Sequence, residues 1–220
     1  AEAVLAEAGQ PLQALDVGQL AKALDWPAFK GQLDGHIPKA RYANDRLDLD
    51  GTITGQMFDG TVLVSGLSME RPFGTAPTLS ADIVLDDMDL QSLTEVFGFG
   101  EITGALDGSI RQLRLVDWSA QAFDAEFHTD RTWKGRQRIS QRAVQDLSSV
   151  GGNAGGLGNS LQAQALKLFD DFGYRQIGIS CRLAEEVCEM DGLSSAANRF
   201  IIVQGSGLPR LDVVGFNRRV

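Results

Sequence analysis

The feature of this chain that most constrains its fold is a two-residue alternation of apolar and polar side chains. The alternation is clearest in RLDLDGTITG (46–55), TLSADIVLDD (78–87) and QAFDAEFH (121–128). Only an extended strand places successive side chains on opposite faces, so these segments are predicted strands with one apolar face. Strands of this kind are typical of antiparallel sheets. The predicted fold class is therefore mainly β (α+β), built on a curved antiparallel sheet.

A second recurring feature is a unit of an apolar residue, Asp and Gly, which occurs four times. The four copies are Leu33-Asp34-Gly35, Leu49-Asp50-Gly51, Phe58-Asp59-Gly60 and Leu106-Asp107-Gly108. Asp-Gly is typical of turns, and a glycine within an alternating segment is typical of a bulge or bend. The alternative is that Asp59 and Asp107 form a catalytic acid pair, which needs a cleft that separates their pKa values. Repetition favours turns and bends, and such bends let a sheet fold over into a groove or half-open barrel.

Four segments have helical rather than strand spacing. Residues 15–26 are predicted to form an N-terminal helix, and residues 89–98 a short helix capped by Asp89. The segments 137–152 and 159–173 each carry an apolar stripe on one helical face. Together these patterns predict short flanking helices and a helical hairpin in addition to the sheet.

The predicted hairpin is an insertion at about 137–172 in a single domain covering 1–220. Its two helices are joined by the glycine-rich stretch GGNAGGLGNS (151–160). A phosphate-binding loop would follow a strand and place a lysine before Ser or Thr, and this stretch does neither. It is interpreted as a flexible linker, with a mobile lid over an opening as the alternative.

The two cysteines lie in two short apolar runs on either side of a polar stretch, Ala184-Glu185-Glu186, which is interpreted as a hairpin loop. Symmetric pairing of the runs brings Cys181 opposite Cys188, within reach of a disulfide. The alternative is a pair of reduced cysteines acting as small apolar residues. A disulfide favours the periplasm or another oxidising compartment.

A basic patch interrupts the acidic chain in RTWKGRQRISQR (131–142), which contains no acidic residue. Its members are Arg131, Lys134, Arg136, Arg138 and Arg142. The patch either meets lipid headgroups, with Trp133 at the level of the interface, or pairs with the many aspartates of the same chain. The sequence leaves both possibilities open.

Composition excludes several functions. A net charge of −9 with a pI near 4.7 argues against nucleic acid as the partner, since phosphate binding needs a basic face. Two histidines and two cysteines are too few for a convincing metal site, no cofactor motif is present, and no nucleophile elbow predicts a hydrolase. No apolar run approaches the roughly 18–20 residues that a membrane-spanning helix needs. The chain is predicted not to be an enzyme.

Four longer phrases resemble the C-terminal region of AsmA-like envelope proteins of Gram-negative bacteria. They are MFDGTVLVSGLSMERPFG, ADIVLDDMDLQSLTEVFGFGEITGALDGSIRQLRLVDW, RISQRAVQDLSSVGG and GLPRLDVVGFNRRV. The YdbH-like branch is the most similar, and TamB is more distant. The resemblance begins at about residue 29 and rests on turns, alternation and glycines rather than on catalytic residues.

The resemblance implies a periplasmic module of a protein whose inner-membrane anchor lies outside this chain. It further implies a folded-over sheet with an apolar interior that shelters phospholipid acyl chains during transport between the inner and outer membranes. A small outer-membrane lipoprotein is the implied protein partner, by addition of a strand to an open sheet edge. Ten residues are candidates for the lipid lining: Leu49, Ile53, Val62, Val64, Ile83, Leu85, Leu106, Ile110, Phe123 and Phe127.

The competing hypothesis is a structural or assembly module of the cell envelope. In that case the sheet is a closed core, and a sheet edge or the basic helix recruits a partner protein. The discriminating property is whether the apolar face of the sheet is filled by the chain itself or left accessible.

Overall fold

Strands make up most of the structure, a computed structural model that describes residues 3–6, 11–16, 31–36, 39–152, 169–196 and 198–216, with side chains from residue 40 onward. The predicted mainly β class is confirmed. The strand pairs with a defined register are all antiparallel.

The described residues form seventeen strands and two helices. In chain order the strands are β1 Ala3–Ala6, β2 Pro11–Asp16, β3 Gly31–His36, β4 Lys39–Ala43, β5 Arg46–Asp50, β6 Thr52–Met57, β7 Gly60–Glu70, β8 Thr78–Asp89, β9 Ile102–Thr103, β10 Ala105–Val116, β11 Ser119–Thr129, β12 Arg138–Ser140, β13 Asp171–Ala184, β14 Val187–Gly192, β15 Ser195–Ala196, β16 Arg199–Ser206 and β17 Val213–Phe216. The helices are α1 Leu90–Val96 and α2 Gln141–Val150.

The chain divides into two compact units. Unit 1 comprises Ala1–Asp86, Gly108–Ala125 and Arg182–Val187. Unit 2 comprises Asp87–Asp107, Glu126–Cys181 and Cys188–Val220.

In unit 1, the short strands β5 and β6 follow each other along one side of the long strand β7, and both pair with it. On their other side β5 pairs with β4 and β6 pairs with β3, while β8 pairs with the other side of β7. The break between β5 and β6 is Gly51, with φ of 123°, and the partner strand β7 shifts register between Ser65 and Ser68, around Gly66 at φ 60°. The predicted bend at Gly51 is therefore present, and β7 compensates for it with a bulge.

Four two-residue turns connect neighbouring strands, and both residues of each turn have positive φ. The turns are Asn44-Asp45, Phe58-Asp59, Asp117-Trp118 and Glu185-Glu186. Positive φ at both central residues matches the right-handed twist of the flanking strands in a tight hairpin. Asp59 is thus a turn residue, as the sequence predicts.

Asp107 has a different local role, within β10. One of its carboxylate oxygens accepts a hydrogen bond from the backbone N–H of Asp87, at 3.0 Å, where β8 adopts a φ of 54°. Asp82 does the same for the N–H of Gln112, at 2.7 Å, where the φ is 53°. Each carboxylate satisfies a backbone amide at a position of positive φ within a strand. Asp107 therefore has a structural hydrogen bond to the backbone of β8, whereas Asp59 lies in a turn.

A dense apolar core lies in unit 2. Ile102, Ile139 and Phe172 form one row across β9, β12 and β13, and each is at most 4% exposed. Three residues of α2 pack in the same unit and are buried: Ala143, Val144 and Leu147. The buried Tyr174 hydroxyl donates a hydrogen bond to the Thr103 carbonyl at 2.6 Å, and burial raises the pKa of this phenol. This unit therefore fills its own interior.

The helix predictions have mixed outcomes. The Asp89 carboxylate caps α1 by accepting from the Ser92 N–H, as predicted. The helix predicted at 137–152 begins only at residue 141, because 138–140 form β12 and Ser140 is the N-cap. Gly151 is the C-cap of α2, in agreement with the sequence.

Two helix predictions extend beyond the described residues. For the predicted helix 15–26, Leu15 and Asp16 belong to strand β2, and 17–26 lie outside the described residues. For the predicted helix 159–173, the residues 159–168 lie outside, as do 153–160 of the glycine-rich stretch. Residues 171–173 belong to β13, because Phe172 pairs with Ile139 of β12. The prediction of a helix is therefore wrong for 171–173, which belong to a strand.

Thr129 supports a stability prediction for unit 2. Its hydroxyl is buried, accepts from the Ile177 N–H at 3.0 Å and donates to the Ile177 carbonyl at 3.4 Å. We expect Thr129→Val to lower the free energy of unfolding by about 1–3 kcal/mol, because a buried N–H loses its acceptor at nearly unchanged volume. Urea unfolding followed by circular dichroism measures the change. Thr129→Ser keeps the hydroxyl and should retain most of this stability; an equal loss in both variants would contradict the explanation.

Candidate functional site

One side of the sheet in unit 1 is a continuous apolar surface, here named the apolar face. Register places Ile53, Val64 and Ile83 side by side on β6, β7 and β8, and Val62 beside Leu85 in the next apolar row. Directly paired residues of antiparallel strands share a face, and residues two apart along a strand do as well. The described members of the face are Tyr42, Leu47, Leu49, Ile53, Val62, Val64, Met69, Leu79, Ala81, Ile83 and Leu85.

The apolar face is only partly covered. Val62 and Ala81 are buried, at 7% and 6% exposure, and the other nine members are half-buried. Of the 19 buried apolar residues among those whose side chains are described, 16 belong to unit 2, whereas Val62, Ala81 and Ala125 alone belong to unit 1. Unit 1 thus aligns its apolar side chains on one surface without enclosing them in a dry core.

The opposite side of the same strands is mostly polar, with one apolar cross-strand pair, Leu63 and the exposed Val84. Its cross-strand rows include Asp48 beside Ser68 and Ser80, and Thr52 beside Ser65 and Asp82. Within this face Arg46 forms ion pairs with Asp48 at 2.7 Å and with Glu70 at 3.3 Å. These pairs are exposed, so they contribute little to stability, and their main effect is to keep this face hydrated. The two faces of the sheet therefore differ sharply in polarity.

Eight of the ten predicted lining residues lie in unit 1. Leu49, Ile53, Val62, Val64, Ile83 and Leu85 belong to the apolar face, and Ile110 and Phe123 lie on β10 and β11 of the same unit, half-buried. Leu106 and Phe127 belong to unit 2 instead. Leu106 is 9% exposed, and Phe127 lies beside His128 and Arg131 in a cavity of about 340 Å³.

The predicted lining omitted five of the eleven members of the apolar face: Tyr42, Leu47, Met69, Leu79 and Ala81. Leu47, Leu79 and Ala81 lie in the alternating segments and follow from that pattern, whereas Tyr42 and Met69 do not. Alternation from Val64 places Met69 on the polar face, since the two residues are an odd number apart. The bulge around Gly66 shifts β7 by one residue and returns Met69 to the apolar face, where it pairs with Leu47 and Leu79. In the sequence, Gly66 is the one indication that the alternation changes face at this point.

The basic patch divides into paired and unpaired cations. The Arg138 guanidinium forms an ion pair with Asp171 and holds the pKa of that carboxyl below its usual range. Arg142 lies 3.8 Å from Asp146, one turn along α2. Within the described part of the chain, the remaining three, Arg131, Lys134 and Arg136, have no carboxylate within 4 Å. Pairing within the chain is therefore present for Arg138 and Arg142, and contact with lipid headgroups stays a prediction for the other three.

Cys181 and Cys188 form a disulfide across the hairpin of β13 and β14, with their Cα atoms 5.7 Å apart. The turn of this hairpin is Glu185-Glu186, within the predicted loop. The predicted pairing is therefore present in the structure.

No group of three or more His, Cys, Asp or Glu side chains suited to a metal ion occurs among the described residues. The helices α1 and α2 are too short and too polar to cross a bilayer, and the described residues contain no other helix. Comparison with family models, with curated proteins and with solved structures found no match to this chain.

Proposed function

We propose that this chain is a non-enzymatic periplasmic module that shelters lipid acyl chains for phospholipid transport between the inner and outer membranes. The observation that carries the proposal is the half-buried apolar face of unit 1, which is continuous over five strands. The resemblance to AsmA-like envelope proteins favours the same function. The disulfide agrees with an oxidising compartment such as the periplasm.

The proposed mechanism contains no chemical step. An acyl chain that lies against the apolar face displaces water from it. Burying this apolar surface stabilises the complex by about 25 cal/mol per Å², or about 0.8 kcal/mol per methylene. Because the surface is uniform along the strands, a lipid that slides by one methylene exchanges one equivalent contact for another. The polar face, with Arg46 and its partners, stays in water.

A matched pair of charge substitutions tests the proposal. We expect protein purified without detergent to carry phospholipid, and Ile53→Asp to lose it, because a carboxylate on the apolar face must be desolvated when an acyl chain covers it. Thr54→Asp places the same charge one residue along, on the polar face, and should retain the lipid. Lipid extraction and native mass spectrometry measure the bound amount.

Circular dichroism should show that both variants remain folded. Native mass spectra free of lipid after gentle purification, or equal lipid loss in the two folded variants, would count against the proposed function.

A further inference from the structure

Unit 2 carries a surface cleft of about 470 Å³ that combines exposed apolar side chains with guanidinium groups. Six of its lining residues matter here: Arg136, Arg138, Phe169, Asp171, Leu208 and Pro209. We refer to these six residues as the amphipathic cleft. None of them belongs to the apolar face of unit 1, so the cleft is a separate feature.

The apolar part of the amphipathic cleft includes two exposed side chains, those of Leu208 and Phe169. Leu208 is 99% exposed, in the segment that connects β16 with β17, and it therefore has almost no packing partner within the chain. Phe169 lines the same cleft and is 42% exposed. Leu208 contributes little to the stability of unit 2 by burial, whereas the Phe169 ring contacts Phe172 and leaves only part of its surface available to an apolar phase.

The charged part has one cation in excess. Arg138 is neutralised by Asp171, while Arg136 is exposed and has no carboxylate within 4 Å among the described residues. The two arginines and Asp171 give the six residues a charge of +1 in a chain whose net charge is −9, and the exposed Asp170, next to Phe169 in the sequence, offsets it. Lys134 and Arg131, also exposed, add two charges in the adjoining segment, against Asp130.

We propose that unit 2 docks on an anionic phospholipid bilayer through the amphipathic cleft. Leu208 and Phe169 enter the boundary between headgroups and acyl chains, while the Arg136 guanidinium donates hydrogen bonds to phosphate oxygens. A protein partner fits this surface less well, since two exposed apolar side chains are small compared with the roughly 800 Å² that each partner buries in a stable interface. The proposal goes beyond acyl-chain sheltering and does not depend on it.

Flotation of the full chain with lipid vesicles tests the docking surface. We expect the chain to float with phosphatidylglycerol–phosphatidylethanolamine vesicles and not with phosphatidylcholine vesicles, and binding to weaken as salt increases. Leu208→Asp should reduce the affinity about tenfold. Arg136→Glu should reduce it about fivefold or more, because one cation is lost and one anion gained near an anionic surface.

Two controls carry the same changes on residues of unit 2 that do not line the cleft. Phe97→Asp changes an apolar side chain that is 57% exposed, and Arg199→Glu changes an exposed cation. Both should float like the unchanged chain. Equal loss in the control variants, absence of flotation with anionic vesicles, or capture of a protein partner through Arg136 without vesicle binding would overturn the proposal.

The same assay separates this proposal from the proposed function. Ile53→Asp should lose co-purified lipid and float like the unchanged chain, whereas Leu208→Asp should keep co-purified lipid and bind vesicles with about tenfold lower affinity. A chain that carries lipid without floating would refute docking alone.

Discussion

Replacing Phe200 with alanine should lower the free energy of unfolding by about 3–5 kcal/mol, which is the usual cost of removing a buried aromatic ring. Phe200 is 1% exposed and lies in β16, paired with Ser195 of β15 and Gly215 of β17. Its ring covers two glycines: a Cβ added to Gly215 would lie 2.3 Å from the ring, and one added to Gly192 would lie 3.0 Å from it. Because both neighbours lack side chains that could fill the gap, little relaxation is available.

A double-mutant cycle with Gly215 checks this explanation. Gly215→Ala alone should destabilise the chain, since the new methyl group overlaps the ring. In the Phe200→Ala background the same methyl group enters the cavity, so it should cost less or stabilise. Urea unfolding of the four proteins measures the coupling, and additive effects would show that the ring and the glycine are independent. Leu208→Ala, at a position 99% exposed, is the control for a residue outside the core and should leave stability unchanged.

Removing the disulfide is the second large effect that we expect. Cys181 and Cys188 are seven residues apart, and closing a loop of that length restricts the unfolded chain by roughly 2.5 kcal/mol in the chain-entropy estimate. The Cys181→Ser/Cys188→Ser variant should unfold at a correspondingly lower urea concentration. The unchanged chain, once its disulfide is reduced, should unfold at the same urea concentration as this variant.

The comparison with the reduced chain separates the crosslink from the side chains. If the serine variant were much less stable than the reduced chain, the hydroxyl groups rather than the missing crosslink would explain the loss. Unchanged stability in both would show that the Glu185-Glu186 turn holds the hairpin without the disulfide.

Features with local causes could be predicted from the sequence. The period of two is a property of each strand by itself, so β5, β6 and β8 were recognisable before their partners were known. The Asp89 cap and the Phe58-Asp59 turn likewise depend on neighbouring residues. The disulfide belongs to the same group, because seven residues and one hairpin separate the two cysteines.

Features with distant causes could not be predicted. Ile139 and Phe172 fit a helical spacing in sequence, but in the structure they pair with each other and with Ile102 across three strands. The local pattern contains no information about that partner, which is 37 residues away from Ile139 in the sequence. Tertiary pairing therefore decides the conformation of 138–140 and 171–173.

The apolar face also has both a predictable and an unpredictable part. Its central rows follow from alternation, whereas the placement of Leu106 and Phe127 in unit 2 depends on contacts with distant parts of the chain. Met69 shows that one glycine is enough to reverse the pattern, since Gly66 moves every later residue of β7 to the other side.

The bulge at Gly66 also shows which insertions the strands of this sheet can accept. Inserting one residue into β6 would turn the following side chains over, so that threonine side chains such as Thr54 would lie on the apolar side of the sheet. An insertion of two residues would lengthen the strand and preserve both faces. Single insertions are compatible with the sheet only where a bulge already absorbs an extra residue, as β7 does around Gly66. Insertions and deletions in strands of this kind should therefore comprise two residues, and a single extra residue should be found only at a bulge.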